Sequence, residues 1–175
     1  MKSLITTVTA ATILLVAGCT PPKTTMAPQP GPTEERYPAR AFAIPALGGT
    51  PGKVSLDDFR GRVVLLDFWA TWCPPCRSEL PGLNRMYGEL KDKGFSVIGM
   101  TVDDASAQEV NPAVQQFALL YPVGLAGPDV QDEYGGIRAV PTKFLLDKKG
   151  GIYKKYEGVV PEKELRADVE TLLAM

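Results

Sequence analysis

Hydrophobic residues in this chain form two runs of strand length that contain almost no polar position. The first is Val63–Trp69 and the second is Phe95–Val102, and each begins shortly after a glycine. Nearly continuous apolar runs of this length are typical of central strands that are covered on both faces of a sheet. We therefore predict two buried strands.

Shorter apolar runs predict the other strands. Phe42–Leu47 and Lys53–Leu56 flank a loop rich in glycine and proline, which indicates a hairpin. A short strand is expected over Pro122–Ala126. The runs Thr142–Asp147 and Ile152–Val159 are separated by two lysines and two glycines, so they predict a second hairpin near the end of the chain.

Three segments have clear helical signals. Ser78–Lys93 carries apolar residues at spacings of three and four, with Pro81 as the expected position of a kink. A helical turn is expected over Asp129–Tyr134. Pro161 opens a last helix whose apolar residues share one face and whose first turn is acidic.

A fourth helix, ending at Leu120, has two candidate starts. Asn111 followed by Pro112 fits an N-cap with proline in the first position, whereas Ser106 and Glu109 fit a capping box. With either start, strands and helices alternate and the chain closes with a hairpin and a helix. This order predicts an α/β sandwich with a mixed sheet.

Composition places the chain in the ordinary globular class. Of 175 residues, 45% are apolar and 22% are charged, and the formal net charge is −1. Because the charges form no long run of one sign, a nucleic-acid partner is not expected.

The absence of histidine restricts the available chemistry. Neither a Ser-His-Asp nor a Cys-His nucleophile can be built, and the usual zinc and non-haem iron ligand sets are missing. Attachment of a c-type haem is excluded because Arg77, not histidine, follows the Cys-x-x-Cys motif. We expect no metal and no cofactor, so cysteine, carboxylate or backbone groups must carry the chemistry.

The N-terminal segment predicts export. Lys2 precedes an apolar stretch, Leu4–Ala17, that is shorter than the roughly 20 residues of a spanning helix, and small residues lead directly to Cys19. This layout resembles a bacterial lipobox and predicts a signal peptide over residues 1–18 and lipidation of Cys19. The alternative is a plain signal or an uncleaved anchor in which Cys19 is incidental.

The chain beyond Cys19 divides into a tether and a domain. Residues 19–36 are rich in proline and threonine and predict an extended tether, followed by a folded domain over residues 37–175. We expect a lipid-anchored monomer whose domain faces the periplasm or another extracytoplasmic space, where disulfides are permitted.

The central chemical motif is Cys73-Pro74-Pro75-Cys76, which lies between the first buried strand and the first helix. At a helix N-terminus the backbone N–H groups and the helix dipole lower a thiol pKa. Cys73 is therefore predicted to be the exposed nucleophile and Cys76, one turn further on, the resolving thiol. The alternative is a purely structural disulfide.

Asp67 is the second candidate, because a carboxylate inside an apolar strand is costly to ionise. We predict a raised pKa and a role in proton transfer, whereas an aspartate that reaches solvent would have neither. Trp69 is assigned to the core. Arg77 and Glu79 are interpreted as a solvated helix face, and Asp103 as part of a loop.

The segment from Asp67 to Arg77 resembles the active-site segment of the thioredoxin superfamily, in the membrane-tethered TlpA/ResA-like branch of thiol:disulfide oxidoreductases. The resemblance implies a three-layer sandwich with helices on both faces of the sheet and an N-terminal hairpin. It also implies that Asp67 assists deprotonation of Cys76. The proline between the cysteines at position 74, where ResA-type proteins have glutamate, is a departure from the branch.

The same resemblance implies a substrate-binding surface. Pro141 matches the family's cis-proline beside the cysteine pair, and the backbone of Val140 would then pair with an extended substrate. Trp72 would add an apolar surface next to Cys73.

Pro74 and Pro75 also indicate the direction of electron flow. Two backbone donors are missing around Cys73, and weaker stabilisation of its thiolate makes the pair more reducing. We therefore expect a reductase of oxidised exported proteins that is re-reduced by a membrane thiol donor. By resemblance one substrate would be apocytochrome c. A disulfide oxidase or isomerase is the alternative, and copper delivery is a remote one.

Overall fold

The structure is a computed structural model that describes residues 36–175. The expected signal peptide (1–18), Cys19 and the tether up to residue 35 lie outside the described residues, so they stay predictions. In the part of the chain that the structure describes, no helix combines the length and the apolarity needed to cross a membrane.

Seven strands and four α-helices make up the fold. The strands are β1 (Ala43–Leu47), β2 (Lys53–Ser55), β3 (Val63–Trp69), β4 (Phe95–Thr101), β5 (Val123–Leu125), β6 (Thr142–Leu146) and β7 (Ile152–Glu157). The helices are α1 (Pro74–Leu90), α2 (Ala107–Gln116), α3 (Pro128–Glu133) and α4 (Glu162–Leu173), with short 3-10 turns at Leu56–Phe59 and Lys91–Lys93.

The strands form one mixed sheet in the order β2-β1-β5-β4-β3-β6-β7. The β3–β4 and β4–β5 pairs are parallel. The other four pairs, β1–β2, β1–β5, β3–β6 and β6–β7, are antiparallel. Every residue of β3 and β4 is buried. The two longest apolar runs are therefore the centre of the sheet, as predicted, and both predicted hairpins are confirmed.

Alternate residues of β3 divide the core into two layers. Leu65 and Trp69 pack with α1, α2 and α4, whereas Leu66 and Phe68 pack with Tyr134 and other residues of the opposite face. Helix α3 and the 3-10 turn at Leu56–Phe59 also cover this second face. The fold is thus the three-layer α/β sandwich of the thioredoxin fold, with the predicted N-terminal hairpin and helices on both faces.

Helix α2 begins at the capping box and not at Asn111. The Ser106 hydroxyl accepts a hydrogen bond from the Glu109 N–H, and the Glu109 carboxylate accepts one from the Ser106 N–H at 2.8 Å. Asn111 lies inside the helix, where its Oδ1 accepts a hydrogen bond from the Gly48 N–H at 2.7 Å. The predicted end at Leu120 is also wrong, because the helix ends at Gln116.

Two other boundaries differ from the sequence prediction. Helix α1 begins at Pro74, four residues before Ser78, because proline fits the first turn of a helix, where N–H groups have no helical partner. Strand β7 ends at Glu157, before Gly158, which has a positive φ of 83°. Pro81 lies within α1.

Replacing Ser106 with alanine tests the capping box. The variant loses the acceptor for the Glu109 N–H, so we expect the free energy of unfolding to fall by about 1 kcal/mol. Urea denaturation measures this change, and Gln108→Ala, at an exposed position of the same helix, is the control. Equal stability of the two variants would contradict the assignment of the helix start.

Candidate active site

Cys73 lies where β3 passes into α1. Its N–H donates to the Ala70 carbonyl at 3.1 Å, and its carbonyl accepts from the Arg77 N–H at 3.1 Å, which closes the first turn of the helix. Cys73 and Cys76 form a disulfide with a Cα–Cα separation of 5.3 Å. Strand β3 and helix α1 thus place the two sulfurs at the N-terminus of the helix, as the motif predicts.

The Cys73 sulfur is the capping acceptor of α1. Cys73 is the N-cap residue and Pro74 and Pro75 occupy the first two helical positions, so the first backbone N–H available to the sulfur is that of Cys76. This N–H donates to Cys73 Sγ at 3.2 Å. An N-cap side chain normally accepts from the second or third helical residue. Here the second helical residue is Pro75, which has no N–H, so only the third, Cys76, can donate.

Both cysteines are buried in this disulfide form, which corrects the prediction that Cys73 is exposed. Cys73 is 3% exposed and Cys76 is 2% exposed. The physical reason is that Cys73 Sγ is bonded to the inward-facing Cys76 and lies 3.9 Å from the Val140 carbonyl oxygen. The residues around it on the surface, Trp72 and Pro74, are exposed.

The loop that carries Trp72 is held by a carboxylate from the next strand. Asp103, just beyond β4, accepts hydrogen bonds from the Thr71 hydroxyl at 2.6 Å and from the Thr71 N–H at 3.1 Å. Trp72, which follows Thr71, is 65% exposed, whereas Trp69 is fully buried, as predicted. Asp103 lies in a loop, as predicted, but its contact with Thr71 was not foreseen, although its position after a buried strand puts it at the same sheet edge as Cys73.

The Val140–Pro141 peptide bond is cis, as the resemblance implies. The Pro141 carbonyl accepts a hydrogen bond from the Gly158 N–H at 2.8 Å, so the end of β7 lies beside it. Val159, the next residue, is 56% exposed. The structure therefore brings Val140 and Pro141 to Cys73, with Val159 close by, and sequence reasoning had not included Val159.

Asp67 lies at the centre of β3 and is 2% exposed, so the alternative of a solvent-facing aspartate is wrong. It alternates with the residues of the opposite face and shares its face with Leu65 and Trp69, on the side covered by α1. Burial raises the pKa of the Asp67 carboxyl from 3.8 to about 6, against the opposing effect of Lys143. The direction of this shift is the one predicted from the sequence, and the role of Asp67 in proton transfer stays a prediction.

Asp67 is not the lone carboxylate that the sequence suggested. Lys143, opposite it on β6 and fully buried, places Nζ 3.6 Å from Asp67 Oδ1 and 2.9 Å from Glu79 Oε2. The other Glu79 oxygen accepts from the Val160 N–H at 3.0 Å. Glu79 therefore faces inward and is not solvated, whereas Arg77 is exposed. Residues 36–175 contain no cluster of three acidic, cysteine or histidine side chains that could hold a metal ion.

Two cysteines that close a disulfide at the N-terminus of a helix on a thioredoxin fold can exchange it with another disulfide, and the cis-proline next to Cys73 fits the same chemistry. The site is therefore that of a thiol:disulfide oxidoreductase. The comparisons with known proteins agree. The chain belongs to the Redoxin family, whose model matches residues 34–173.

The similar proteins are named for thiol:disulfide chemistry. Thiol-disulfide oxidoreductase ResA of Bacillus thuringiensis is 37% identical over 125 residues, which cover 71% of this chain and 70% of that protein. A thiol:disulfide interchange protein from Chlorobium tepidum superposes with a TM-score of 0.71 at 27% identity, covering 80% of this chain and 98% of that one. A secreted thiol-disulfide isomerase from Corynebacterium glutamicum gives a TM-score of 0.71 at 28% identity, with 78% and 86% covered.

Replacing Asp67 with asparagine should stabilise the protein at neutral pH. Because the folded protein holds the Asp67 proton more tightly than the unfolded chain, the free energy of unfolding of the wild type falls as the pH rises from about 4 to about 6 and stays lowered above that range. The shift corresponds to at most about 3 kcal/mol.

Urea unfolding of the oxidised protein at pH 4 and pH 8 measures the effect. We expect Asp67→Asn to exceed the wild type at pH 8 and to match it at pH 4, with Asp104→Asn, at an exposed position, as the control. A variant no more stable than the wild type at pH 8 would contradict the raised pKa.

Proposed function

We propose that this protein is an exported, lipid-anchored disulfide reductase. Cys73 and Cys76, as a dithiol, reduce disulfides in extracytoplasmic proteins, and a membrane thiol donor restores the dithiol. Asp67 accepts the proton of Cys76 during the reaction. Apocytochrome c, whose haem-attachment cysteines must be reduced, is one substrate that the resemblance implies.

The observation that carries the direction of electron flow is the hydrogen bonding of the Cys73 sulfur. A single backbone N–H, that of Cys76, reaches it from the first turn of α1, because Pro74 and Pro75 have none to donate. Fewer donors stabilise the thiolate less, and a dithiol that is less stabilised gives up its electrons more readily.

The first step is attack by the Cys73 thiolate on one sulfur of a client disulfide. A new S–S bond joins Cys73 to the client, the client's own S–S bond breaks, and the released client thiolate takes up a proton. The helix N-terminus stabilises the attacking thiolate. No net oxidation has occurred at this point, because one disulfide has replaced another.

In the second step Asp67 takes the proton from the Cys76 thiol and the resulting thiolate attacks Cys73 Sγ. The Cys73–Cys76 disulfide forms, the mixed disulfide breaks, and the second client thiolate leaves and is protonated. The client has gained two electrons and two protons. A dithiol donor then returns two electrons and two protons to the cysteine pair and is itself oxidised to a disulfide.

The client is expected to dock on the apolar surface around the disulfide. Trp72 and Val159 are exposed there. The carbonyl oxygen of Val140, the residue before the cis-proline, lies 3.9 Å from the Cys73 sulfur. An extended client segment that pairs with the backbone of Val140 would bring its disulfide to Cys73. Single exposed apolar residues are common, but their grouping around a reactive sulfur favours a binding surface.

The proposed location rests on the N-terminal sequence. Leu4–Ala17 and the small residues before Cys19 favour a lipoprotein signal. The similarity to a secreted thiol-disulfide isomerase supports an exported compartment. The same similarity favours isomerase activity as the second candidate function, since isomerases use the same cysteine chemistry at a higher reduction potential.

A trapping experiment tests the chemistry. In the reduced full chain with Cys19→Ser, we expect Cys76→Ser to accumulate a mixed disulfide between Cys73 and a disulfide-containing client such as insulin, because nothing resolves it. Cys73→Ser should form none. Mass spectrometry identifies the adduct, and the proposal fails if Cys73→Ser traps the client equally well or if Cys76→Ser still reduces insulin over many turnovers.

Replacing Pro75 with alanine tests the origin of the potential. The new N–H lies at the second helical position, from which an N-cap side chain accepts a hydrogen bond. A hydrogen bond to a charged group contributes about 1.5 kcal/mol or more, so we expect the potential of the pair to rise by about 30 mV or more. Pro74→Ala, at the first position, is the matched control and should change the potential less; equal changes would contradict the argument.

A further inference from the structure

Lys143 is a buried charge that the two-cysteine reaction does not explain. Its side chain is fully buried, and its ammonium lies between two carboxylates, Asp67 and Glu79. Burying a charged group costs several kcal/mol, and apolar residues of similar volume usually serve stability as well or better. A merely structural need at this position would be met by leucine or methionine.

The two contacts of Lys143 are unequal. The ammonium donates a hydrogen bond to Glu79 at 2.9 Å, whereas its 3.6 Å separation from Asp67 Oδ1 is too long for one. Asp67 Oδ1 has no hydrogen-bond partner among residues 36–175. Glu79 is fixed from its other side by the Val160 N–H. The lysine is therefore anchored on Glu79 and attracts Asp67 only through space.

The charges of the three side chains constrain how Asp67 titrates. When Asp67 is protonated, the charges of Lys143 and Glu79 cancel. When Asp67 is ionised, the three side chains together carry a net charge of −1. The attraction of Lys143 favours ionised Asp67, and the charge of Glu79 opposes it. A low-dielectric interior strengthens both effects.

On this geometry we infer that Lys143 and Glu79 are positioning residues that set the pH at which Asp67 can accept the Cys76 proton, with opposite signs. The inference deepens the proposed function and rests on it. Lys143 moves no proton itself: the proton passes from Cys76 Sγ to the Asp67 carboxylate, and the lysine fixes how stable the ionised carboxylate is beforehand.

The other titratable groups around Asp67 are few. Cys76 of α1 is buried on the same side of the sheet. Tyr121, ahead of β5, is also buried there. Burial raises the pKa of its phenol well above the ordinary value, and the charges of Asp67 and Glu79 add to this effect, so the phenol stays neutral at working pH. Lys143 is therefore the one cation described next to Asp67.

Glu79→Gln and Lys143→Met test the inference by their opposite signs. Glutamine has nearly the same shape and removes the charge, but its single amide oxygen can accept from only one of the two donors, the Val160 N–H or Lys143. Because the negative charge next to Asp67 is gone, we expect the Asp67 titration midpoint to fall, by about one pH unit. Methionine removes the cation and should raise the midpoint by about one pH unit or more. The readout is the carbon-13 NMR shift of the Asp67 carboxyl in the oxidised and the reduced full chain, together with the pH profile of the Cys76 resolution step.

Control variants, together with Glu79→Gln, distinguish an effect of charge on the Asp67 midpoint from an effect on folding. Glu162 lines a surface cleft together with Glu79 and pairs with Arg85, and Lys155 lies on β7, next to β6. The control variants Glu162→Gln and Lys155→Met should leave the midpoint unchanged. If Lys143→Met does not fold, Glu79→Gln alone decides the question. A midpoint that does not move, or that moves upward in Glu79→Gln, overturns the inference.

Failure of the proposed function would look different. If the NMR midpoints move with the expected signs but the rate of resolution at Cys76 keeps its wild-type pH profile, then the control of Asp67 by Lys143 and Glu79 stands and the assignment of Asp67 as proton acceptor fails. If both the midpoints and the rate profiles move together, both are supported.

Discussion

The N-terminus of α1 is the constraint on which the rest of the site depends, because its capping acceptor is a sulfur atom. A helix that begins immediately after a buried central strand must satisfy its first N–H groups locally. Here two of them are removed by Pro74 and Pro75, and the Cys76 N–H goes to Cys73 Sγ. This hydrogen bond caps the helix and also fixes the position of the reactive sulfur, so local folding and redox chemistry depend on the same contact.

The second constraint is the charge buried between β3, β6 and α1. β3 is covered on both faces, so any ionisable side chain in it must find its partner inside the protein. Asp67 finds Lys143 on the neighbouring strand, and Lys143 is held by Glu79 from α1. Because Glu79 is also bonded to Val160 in the segment that follows β7, the buried charges connect β3, β6 and α1 with the edge of the proposed client surface.

Much of the fold could be predicted because β3 and β4 are continuous apolar runs with no competing interpretation. The start of α2 could not be decided, since Asn111-Pro112 and Ser106-x-x-Glu109 are both valid start signals; the capping box prevails because it satisfies donors from both residues, and the Asn111 side chain binds Gly48 instead.

Lys143 was missed because a lysine in a strand is ordinarily taken as solvent-facing. The available signal for its burial was its position in a strand that has a neighbouring strand on each side. The burial of Cys73 depends on contacts with Val140, distant in sequence, which no local pattern contains.

The equilibrium potential of the Cys73–Cys76 pair decides whether electrons pass from this protein to its clients or in the opposite direction. The measurement uses the full chain with Cys19→Ser, so that only the active-site pair exchanges with a defined thiol buffer. For a reductase we expect a value close to that of thioredoxin, about −270 mV. A value near −120 mV, which is that of a strong disulfide-forming oxidant, would contradict it.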